Sequence, residues 1–466
     1  MKIKISKKVH FSTHIILVPR IDPIPYPDFK GDSGEISVRY EENTTKILCG
    51  IGDNATVDSK TIRTASAKAI QKAIDLKRTE VTFTLPNHSY PISLEKHIIE
   101  GIILGSYKFD KYKSEKYHRI ETVEIIGELS RAEVHRTETI CKSTNFTRDL
   151  VNENASVITP EAFATEALKL QNSNHCTVTV LNKKDIQKKG LNLIYSVGKG
   201  SQTPPCLIFI EYNGNKRSGK KTAIVGKGIT FDSGGQNLKP TGSIETMRTD
   251  MAGAAAVLGT MKALIELNSP VNVVGVIVAA HNAIGSDAFF PGDIYKSYSG
   301  KTIEIHSTDA EGRLILADAV SYCQKQYKPD ELIDLATLTG GILSALGDIV
   351  AGLFSNNDFL AEKLFEAGEK SSERLWRFPL YKEYSDALKG ELGDLRNLSK
   401  LKKGYASSII GAAFIQEFIE DIPWAHLDIA GTSFNEGATR GEIPQFATGF
   451  GVRLLMEYLA NDKTIY

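Results

Sequence analysis

Short apolar runs alternate with longer amphipathic segments from about residue 175 to the end of the chain. Six runs have the length and composition of strands, namely Thr177 to Leu181, Leu207 to Tyr212, Thr222 to Gly226, Val271 to Ala280, Leu332 to Leu338 and Ala425 to Ala430. Four segments between them have the periodicity of helices, namely Met251 to Leu267, Arg313 to Gln326, Leu360 to Ser371 and Ile409 to Ile419. Because several runs are apolar throughout, both faces of their sheet should be covered. The pattern predicts an α/β fold with a mostly parallel central sheet flanked by helices.

The first 135 residues show a similar alternation with shorter elements. Lys46 to Gly52 and Glu121 to Ile126 are predicted strands, and Ser59 to Lys77 is a predicted helix with alanines on one face. Polar and apolar residues alternate at the start of the chain, which is typical of a strand and not of the apolar core of a signal peptide. We therefore predict a smaller N-terminal α/β domain over residues 1–135.

A polar and then helical stretch follows over residues 136–170. Thr159 has the residue type of a helix cap, and Pro160 suits the first helical turn. We predict a linker helix region here and a larger C-terminal domain over residues 171–466, so the chain would have two domains.

The charge balance, the cysteines and the lengths of the apolar runs bear on which partners and which cellular location are expected. Of 466 residues, 56 are Lys or Arg and 56 are Asp or Glu, so there is no general electrostatic case for nucleic acid, although a local basic patch is compatible with these counts. The five cysteines are scattered, which favours reduced thiols and a cytoplasmic location. We find no run of eighteen apolar residues, and therefore predict no membrane span.

Polar and glycine residues directly follow four of the predicted strands, at Lys227, His281-Asn282, Thr339-Gly340-Gly341 and Gly431-Thr432. In a sheet of this kind the carboxyl ends of parallel strands meet at one edge, and ligands bind there. The sequence therefore predicts a ligand site formed by these strand ends.

Five residues in this region are candidate metal ligands, namely Lys227, Asp232, Asp250, Asp309 and Glu311. Four carboxylates and a lysine in one cleft can hold two divalent cations, and two such cations can activate a water. A neutral lysine amine is a suitable ligand because burial and a nearby dication both lower its pKa. Each residue also has an ordinary explanation. Lys227 could lie in a surface turn, Asp232 could stabilise a turn, and Asp250 could be a charge near a helix N-terminus.

Asp309, Glu311 and Arg313 are spaced two apart, so in an extended segment they would point the same way. The alternative is a capping box, in which Thr308 and Glu311 would cap a helix that begins near Leu314. Taken alone, this segment leaves both interpretations open.

In this order along the chain, the motifs resemble the cytosolic leucyl aminopeptidases, a family of dinuclear metallopeptidases. The resemblance spans about residues 143 to 466, and the stretch Thr308 to Leu314 is its most specific part. The other matching segments are Val225 to Gly235, Met247 to Val257, Pro291 to Asp293, Ala336 to Gly340, Trp424 to Gly431 and Ala447 to Gly451. The resemblance implies that residues 171–466 form a catalytic metallopeptidase domain.

The resemblance also implies roles for single residues. One metal would be held by Lys227, Asp232, Asp250 and Glu311, and the other by Asp232, Asp309 and Glu311. Lys239 would be the catalytic lysine that polarises the scissile carbonyl, and Arg313 would hold a bicarbonate that acts as general base. The pocket for the first side chain of a peptide would be lined by Met247, Thr337, Leu338, Gly340 and Ala430, which suits Leu or Met.

The implied cofactors are bicarbonate and two divalent metal ions per subunit. Zn²⁺ or Mn²⁺ is expected, and a site of mostly oxygen with one amine also accepts Mg²⁺ or Co²⁺. The implied assembly is a homohexamer, a dimer of trimers, that acts on short peptides.

Three positions depart from the family pattern, namely Ser307, Phe290 and Tyr405, where Asn, Arg and Gly are usual. These departures bear on the support of the ligands, on substrate preference and on assembly. Two other functions remain alternatives, a two-metal phosphoesterase and a non-catalytic family member that acts in assembly or DNA binding.

Overall fold

A computed structural model describes residues 1–20, 27–84, 94–127, 130–172, 175–402 and 404–461. The described residues form two compact units. The first comprises residues within Met1–Asn145 together with Asn435–Phe446, and the second comprises residues within Phe146–Phe434 and Ala447–Tyr466. Among the described residues, no helix combines the length and the apolar character needed to cross a membrane.

The first unit is built on a six-stranded sheet with the strand order β1-β6-β5-β2-β4-β3. All neighbouring strands are parallel except β3 and β4, which are antiparallel. Two helices pack against each other, and buried apolar residues of these helices and of the sheet form one core. Its elements are β1 (Lys2–Ser6), β2 (Thr13–Pro19), β3 (Ile36–Glu41), β4 (Thr44–Gly52), α1 (Ser59–Asp75), β5 (Glu80–Thr84), α2 (Leu94–Gly105) and β6 (Thr122–Ile126).

Helix α3 (Arg131–Asn152) begins in the first unit and ends in the second, and α4 (Pro160–Leu168) follows it. Thr159 caps α4 as predicted, since its side chain accepts a hydrogen bond from the Ala162 N–H. The stretch that the sequence marks as a linker therefore contains α4 and most of α3.

The second unit contains an eight-stranded sheet with helices around it, which agrees with the predicted α/β fold class. The first part of this unit holds β7 (Cys176–Leu181), α5 (Lys183–Lys188), α6 (Asn192–Gly198), β8 (Cys206–Asn213), β9 (Thr222–Asp232), α7 (Ala252–Glu266), β10 (Asn272–Asn282), β11 (Ile294–Lys296), β12 (Thr302–Glu304) and α8 (Gly312–Tyr327). Its second part holds β13 (Glu331–Ala336), α9 (Gly340–Leu346), β14 (Ala351–Ser355), α10 (Asp358–Ser371), β15 (Leu375–Arg377), α11 (Lys382–Asp386), β16 (Leu395–Arg396), α12 (Ser407–Gln416) and β17 (Trp424–Asp428). The two-residue strands β18 (Phe434–Asn435) and β19 (Phe446–Ala447) each have one residue in either unit, and α13 (Val452–Asn461) ends the described part of the second unit.

The strand order of the large sheet is β15-β14-β17-β13-β9-β10-β8-β7. The four central strands β17, β13, β9 and β10 are mutually parallel, whereas β8, β7 and β14 run antiparallel to their inner neighbours. The prediction of a mostly parallel sheet flanked by helices is confirmed. The carboxyl ends of the four central strands lie at one edge of the sheet, as predicted.

Small residues allow α7 to lie directly against β9. A Cβ added to Gly226 on β9 would come within 2.6 Å of the Ala254 Cα, and one added to Gly253 would come within 2.2 Å of the Leu335 carbonyl oxygen. Real Cβ atoms do not approach backbone this closely, so larger side chains would push the helix off the sheet. The helix that follows Asp250 is therefore held at a fixed distance from the strand that carries Lys227.

Several predicted boundaries are wrong. Strand β9 was expected to end at Gly226 but continues to Asp232, so Lys227 lies inside it. Asn282 likewise belongs to β10 and does not follow it. At these positions β9 and β10 still pair with each other as parallel strands. Gly226 and Gly228 do not interrupt this pairing, because its hydrogen bonds join only backbone groups.

Candidate metal centre and active site

The ends of β9 and β10 place Asp232 beside Asn282. The Asp232 Oδ1 accepts hydrogen bonds from the Asn282 side-chain amide at 2.7 Å and from the Gly234 N–H at 2.9 Å. Both side chains are buried. Gly234 has a φ of +83°, in the left-handed region that glycine adopts freely, which lets its N–H turn back to the carboxylate. Asp232 is thus held by two donors and keeps its second oxygen for the site.

Lys227 points from β9 toward the start of α8. Its Nζ lies 2.8 Å from an Asp250 oxygen, 3.1 Å from a Glu311 oxygen and 2.8 Å from the Thr337 carbonyl oxygen. The side chain is almost fully buried. A Cβ on Gly312 would come within 2.5 Å of the Lys227 Cε, so a larger residue at the start of α8 would displace the end of the lysine side chain. The surface-turn explanation for Lys227 is wrong.

Asp250 lies two residues before α7, at the end of a short 3₁₀ turn. Its side chain is buried, and its Oδ1 accepts a hydrogen bond from the Thr337 hydroxyl at 2.7 Å. Asp250 therefore faces Lys227 and Thr337 and not solvent.

Asp309 and Glu311 lie in the segment before α8. One carboxylate oxygen from each of Asp232, Asp309 and Glu311 lies within 4.8 Å of the other two. Glu311 is buried, whereas the Asp309 side chain is 37% exposed. These three residues form a cluster that is open to solvent only on the Asp309 side.

The capping-box alternative is wrong, and so is the extended alternative. Glu311 occupies the N-cap position of α8 but makes no side-chain capping bond there. The Thr308 hydroxyl instead donates to the Gly234 carbonyl oxygen at 2.6 Å and accepts from the Asn237 N–H at 2.9 Å. The chain turns at Thr308 and enters α8 at Gly312, so Arg313 is helical. Thr308 joins the ligand segment to the loop after β9 and does not cap the helix.

Lys239 lies in the loop after Asp232 and reaches back into the cluster. Its Nζ lies 2.9 Å from the Asp232 Oδ2 and 2.6 Å from the Asp309 Oδ1. The side chain is 15% exposed. A lysine in this position touches two of the three clustered carboxylates and has access to an incoming ligand.

Four carboxylates and two ammonium groups share this small volume, and their pKa values are shifted accordingly. Burial, assisted by the charge of Glu311, raises the pKa values of Asp232 and Asp250 above the usual range. Burial would also raise the pKa of Glu311, but Lys227 and Lys239 outweigh it and lower that pKa. Burial opposes the charge of the two lysines, yet the carboxylates raise both lysine pKa values. In the protein without bound metal, both lysines are therefore positively charged and are held among the carboxylates.

The residues fit a pair of divalent cations. The buried Oε2 of Glu311 has no hydrogen-bond partner among the described residues. A buried carboxylate oxygen without a partner is costly, and a cation would satisfy it. The donor set of several carboxylate oxygens and one amine suits Zn²⁺, Mn²⁺, Co²⁺ or Mg²⁺. A dication would also reverse the lysine shift, because it repels the proton on the Lys227 amine.

Arg313 is buried in the first turn of α8. Its Nη1 donates to the Asn397 carbonyl oxygen at 3.0 Å, and its Nε has no partner among the described residues. Burial lowers the pKa of Arg313 to about 10, which still leaves the guanidinium charged at neutral pH. A buried cation with an unused donor fits a small anion such as bicarbonate.

The residues predicted to line a substrate pocket are only partly brought together by the described contacts. Asp428, at the end of β17, accepts hydrogen bonds from the N–H groups of Leu338 at 3.2 Å and Ala430 at 3.3 Å. Thr337 contacts Lys227 and Asp250, as described above. Met247 is half-buried in the 3₁₀ turn before Asp250, and Gly340 is exposed at the start of α9. The lining role of these five residues stays a prediction.

Three residues outside the predicted set support the site, namely Asn282, Asn397 and Asp428. Asn282 was visible as a polar residue next to a predicted strand, and Asp428 lies within a matching segment. Asn397 gives no such signal, because it follows a two-residue strand in an irregular stretch.

The departure at Ser307 is compatible with a supported ligand segment. The Ser307 hydroxyl accepts a hydrogen bond from the Asp309 N–H at 3.1 Å. This local side-chain to backbone bond is one that Asn and Ser both form. Phe290 and Tyr405 are exposed, at 50% and 59%, and lie at the surface of the second unit.

Two family models match the chain. The catalytic-domain model of the cytosol aminopeptidase family matches residues 145–456, and the N-terminal-domain model of the same family matches residues 24–116. The likeness therefore extends into the N-terminal region, beyond the residues on which the sequence motifs lie.

Curated relatives agree with the models. A protein of Protochlamydia amoebophila, described as "Probable cytosol aminopeptidase", is 41% identical over 93% of this chain and 89% of its own length. A protein of Cenarchaeum symbiosum with the same description is 40% identical over 89% of this chain and 85% of its own length.

Solved structures agree in fold. The bottromycin maturation enzyme BotP in complex with Mn superposes with a TM-score of 0.89 at 29% identity, covering 96% of this chain and 99% of that one. A tomato leucine aminopeptidase mutant superposes with a TM-score of 0.89 at 30% identity, covering 99% of this chain and 96% of that one. With both family models, the relatives and the folds in agreement, the chain belongs to the cytosol aminopeptidase family and is a peptidase of the metallo-aminopeptidase class.

Proposed function

We propose that this enzyme removes N-terminal residues, preferably Leu or Met, from short peptides at a two-metal centre. The observation that carries the proposal is the clustering of Asp232, Asp309 and Glu311 beside the buried Lys227–Asp250 pair. Residues from three separate segments converge there, and a binding-only protein has no physical need for such a set. Family membership supports the same reaction class.

Lys227, Asp232, Asp250 and Glu311 would hold one metal ion, and Asp232, Asp309 and Glu311 the other. Bound together, the two ions would lower the pKa of a shared water and polarise the scissile carbonyl. We propose Zn²⁺ or Mn²⁺. The Mn²⁺ in the similar BotP structure supports the second choice, and the mixed donor set is compatible with both.

Lys239 would stabilise the negative charge that develops on the carbonyl oxygen. Its ammonium group is partly exposed and already lies among the carboxylates, so it needs only a small displacement to meet a bound substrate. A preorganised cation in a water-poor site is an effective stabiliser of such an oxyanion.

Arg313 would hold a bicarbonate close to the ligand segment, and the anion would accept the proton of the attacking water. The unused Nε donor of the buried guanidinium supports this role. No histidine lies among the proposed ligands, so the side chains there leave this proton-accepting role open.

Leu338 and Ala430 would form part of the pocket for the first side chain, with Thr337 at its edge. Asp428 bonds to the backbone of both Leu338 and Ala430, which fixes the distance between the two loops that carry them. A pocket bounded by small and apolar groups favours an unbranched or γ-branched apolar residue, as in Met or Leu.

We propose that the protein is a cytoplasmic homohexamer, arranged as a dimer of trimers. Relatives described as cytosol aminopeptidases support the location, and so does the scattered placement of the five cysteines along the sequence. Exposed apolar side chains of the second unit, such as Leu392 and Tyr405, support association with other copies.

Hydrolysis of two chromogenic substrates tests the proposal against its alternatives. Leu-p-nitroanilide should be hydrolysed with Zn²⁺ or Mn²⁺ and not after chelation, whereas p-nitrophenyl phosphate should not be hydrolysed. Turnover of the phosphate ester alone would favour the phosphoesterase. A folded, metal-loaded protein without activity on either substrate would favour the non-catalytic alternative.

Metal affinity should fall as the pH is lowered. The raised pKa values of Asp232 and Asp250 mean that these carboxyls take up protons at a higher pH than ordinary carboxyls, and a protonated oxygen does not bind a cation. The charged form, which binds metal, is therefore lost as the pH falls. Calorimetric Mn²⁺ titrations at pH 8 and pH 6 should show weaker binding at pH 6, with proton release at both. Equal affinity at the two values would contradict the prediction.

A further inference from the structure

Asn397 is fully buried and lies directly after β16, next to the segment that carries Asp309 and Glu311. Its side-chain oxygen accepts hydrogen bonds from the His306 N–H at 2.7 Å and from the Ser307 N–H at 3.2 Å. Its side-chain amide donates to the Ser307 carbonyl oxygen at 2.6 Å and to the Ala310 carbonyl oxygen at 3.4 Å. One side chain thus binds both ends of the turn that presents Asp309.

The backbone of Asn397 serves a second partner. Its carbonyl oxygen accepts the hydrogen bond from the Arg313 Nη1 at 3.0 Å, which is the hydrogen bond that orients the buried guanidinium. Asn397 therefore contacts the ligand segment through its side chain and the anion-binding arginine through its main chain.

The position of Asn397 is itself fixed by backbone pairing. Its N–H donates to the Glu304 carbonyl oxygen at 3.0 Å, and the adjacent Arg396 pairs with Glu304 in the ladder between β12 and β16. The Glu304 carboxylate in turn accepts hydrogen bonds from the N–H groups of Glu391, Leu392 and Gly393. The hydrogen bond with His306 and those with the three backbone N–H groups lower the pKa of Glu304 to about 2, so this carboxylate stays charged at neutral pH.

Only a side-chain amide can make this set of contacts. The turn offers two N–H donors on one side and two carbonyl acceptors on the other, and an amide supplies both an acceptor and two donors. A carboxylate lacks the donors, and a hydroxyl is too short to reach both sides.

We infer that Asn397 is a positioning residue for the metal centre: its side chain holds the Ser307–Ala310 turn and its carbonyl oxygen holds the Arg313 guanidinium, so that metal binding near Asp309 and anion binding at Arg313 depend on the same residue. This inference rests on the proposed function. Residues that orient ligands typically affect metal affinity by 10- to 100-fold when replaced.

Two variants, Asn397→Asp and Asn397→Ala, test the inference. Asn397→Asp keeps the acceptor and removes both donors, whereas Asn397→Ala removes all four side-chain bonds and leaves the main chain in place. We expect calorimetric titration with Mn²⁺ to show about 10- to 100-fold weaker binding of at least one ion in both variants. We also expect a higher bicarbonate concentration for half-maximal stimulation of kcat.

Gln324→Ala is a matched control. Gln324 is buried in α8 and its amide also bridges backbone groups, donating to the Val320 and Phe418 carbonyl oxygens and accepting from the Glu420 N–H. This variant should lower Tm like the Asn397 variants but leave Mn²⁺ affinity and the bicarbonate response unchanged.

Each outcome decides the question. Wild-type affinity and bicarbonate response in a folded Asn397→Asp or Asn397→Ala protein would overturn the inference, as would unfolding of both variants, which would show that Asn397 acts on the whole fold. Absence of Mn²⁺ binding and of peptide hydrolysis in the wild type would instead refute the proposed function.

Discussion

Glu311→Gln is expected to lower kcat/KM on Leu-p-nitroanilide by about 1000-fold or more, which corresponds to about 4 kcal/mol of lost transition-state stabilisation. Glu311 is buried within the cluster, lies 3.1 Å from the Lys227 Nζ, and has one oxygen without a partner among the described residues. An amide of the same shape removes the charge that two cations would share. It also places a donor group beside the two lysines.

Metal content distinguishes this loss from a general defect. The purified variant should contain less Mn²⁺ after dialysis against a fixed metal concentration, as measured by elemental analysis. Glu331→Gln is the control, because Glu331 is also buried, at the opposite end of the sheet, where it accepts hydrogen bonds from Thr222 and Tyr458. An active Glu311→Gln protein with a full metal complement would refute the proposed centre.

Lys239→Met should lower kcat by about 100- to 1000-fold, with metal affinity equal to or higher than that of the wild type. The Lys239 ammonium would stabilise the oxyanion, so its loss removes an interaction that is needed in the transition state. The same ammonium lies 2.6 Å from Asp309 and 2.9 Å from Asp232, where it competes with a cation for their oxygens. Its removal should therefore leave more negative charge for the metal.

The two effects can be measured separately. Steady-state kinetics at saturating Mn²⁺ gives kcat and KM, and calorimetry on the metal-free protein gives affinity. Lys301→Met removes a lysine that is paired with Glu417 away from the cluster, and this control should match the wild type in both measurements. A weaker metal affinity in Lys239→Met would assign Lys239 to ligand support and remove it from the chemistry.

The sequence predicted the sheet better than the details of the site. Alternating apolar runs and amphipathic segments are signals that local pattern carries well, so the central strands and α7, α8 and α10 were found within a few residues. The end of β9 was misplaced because a lysine between two glycines is an ordinary turn signal. Here the neighbouring strand β10 continues the ladder past Lys227 to Asp232, and no local sequence pattern reports such a neighbour.

The candidate ligands were found because the motif order is specific, not because spacing fixed their geometry. Thr308 and Glu311 satisfy a capping-box pattern, yet the Thr308 hydroxyl bonds to Gly234, a residue 74 positions away. Asn397 was missed for the same reason, since its four side-chain bonds cross 87 to 91 positions of sequence. Contacts between residues so far apart in the sequence depend on the fold, and residue types alone do not predict them.

The two lysines among the carboxylates give this protein built-in counter-ions. When a cell runs short of transition metals, Lys227 and Lys239 can keep much of the negative charge of the cluster neutralised. A newly made subunit should therefore fold without metal. It should stay folded but inactive, gain activity when metal becomes available, and escape degradation as a misfolded protein.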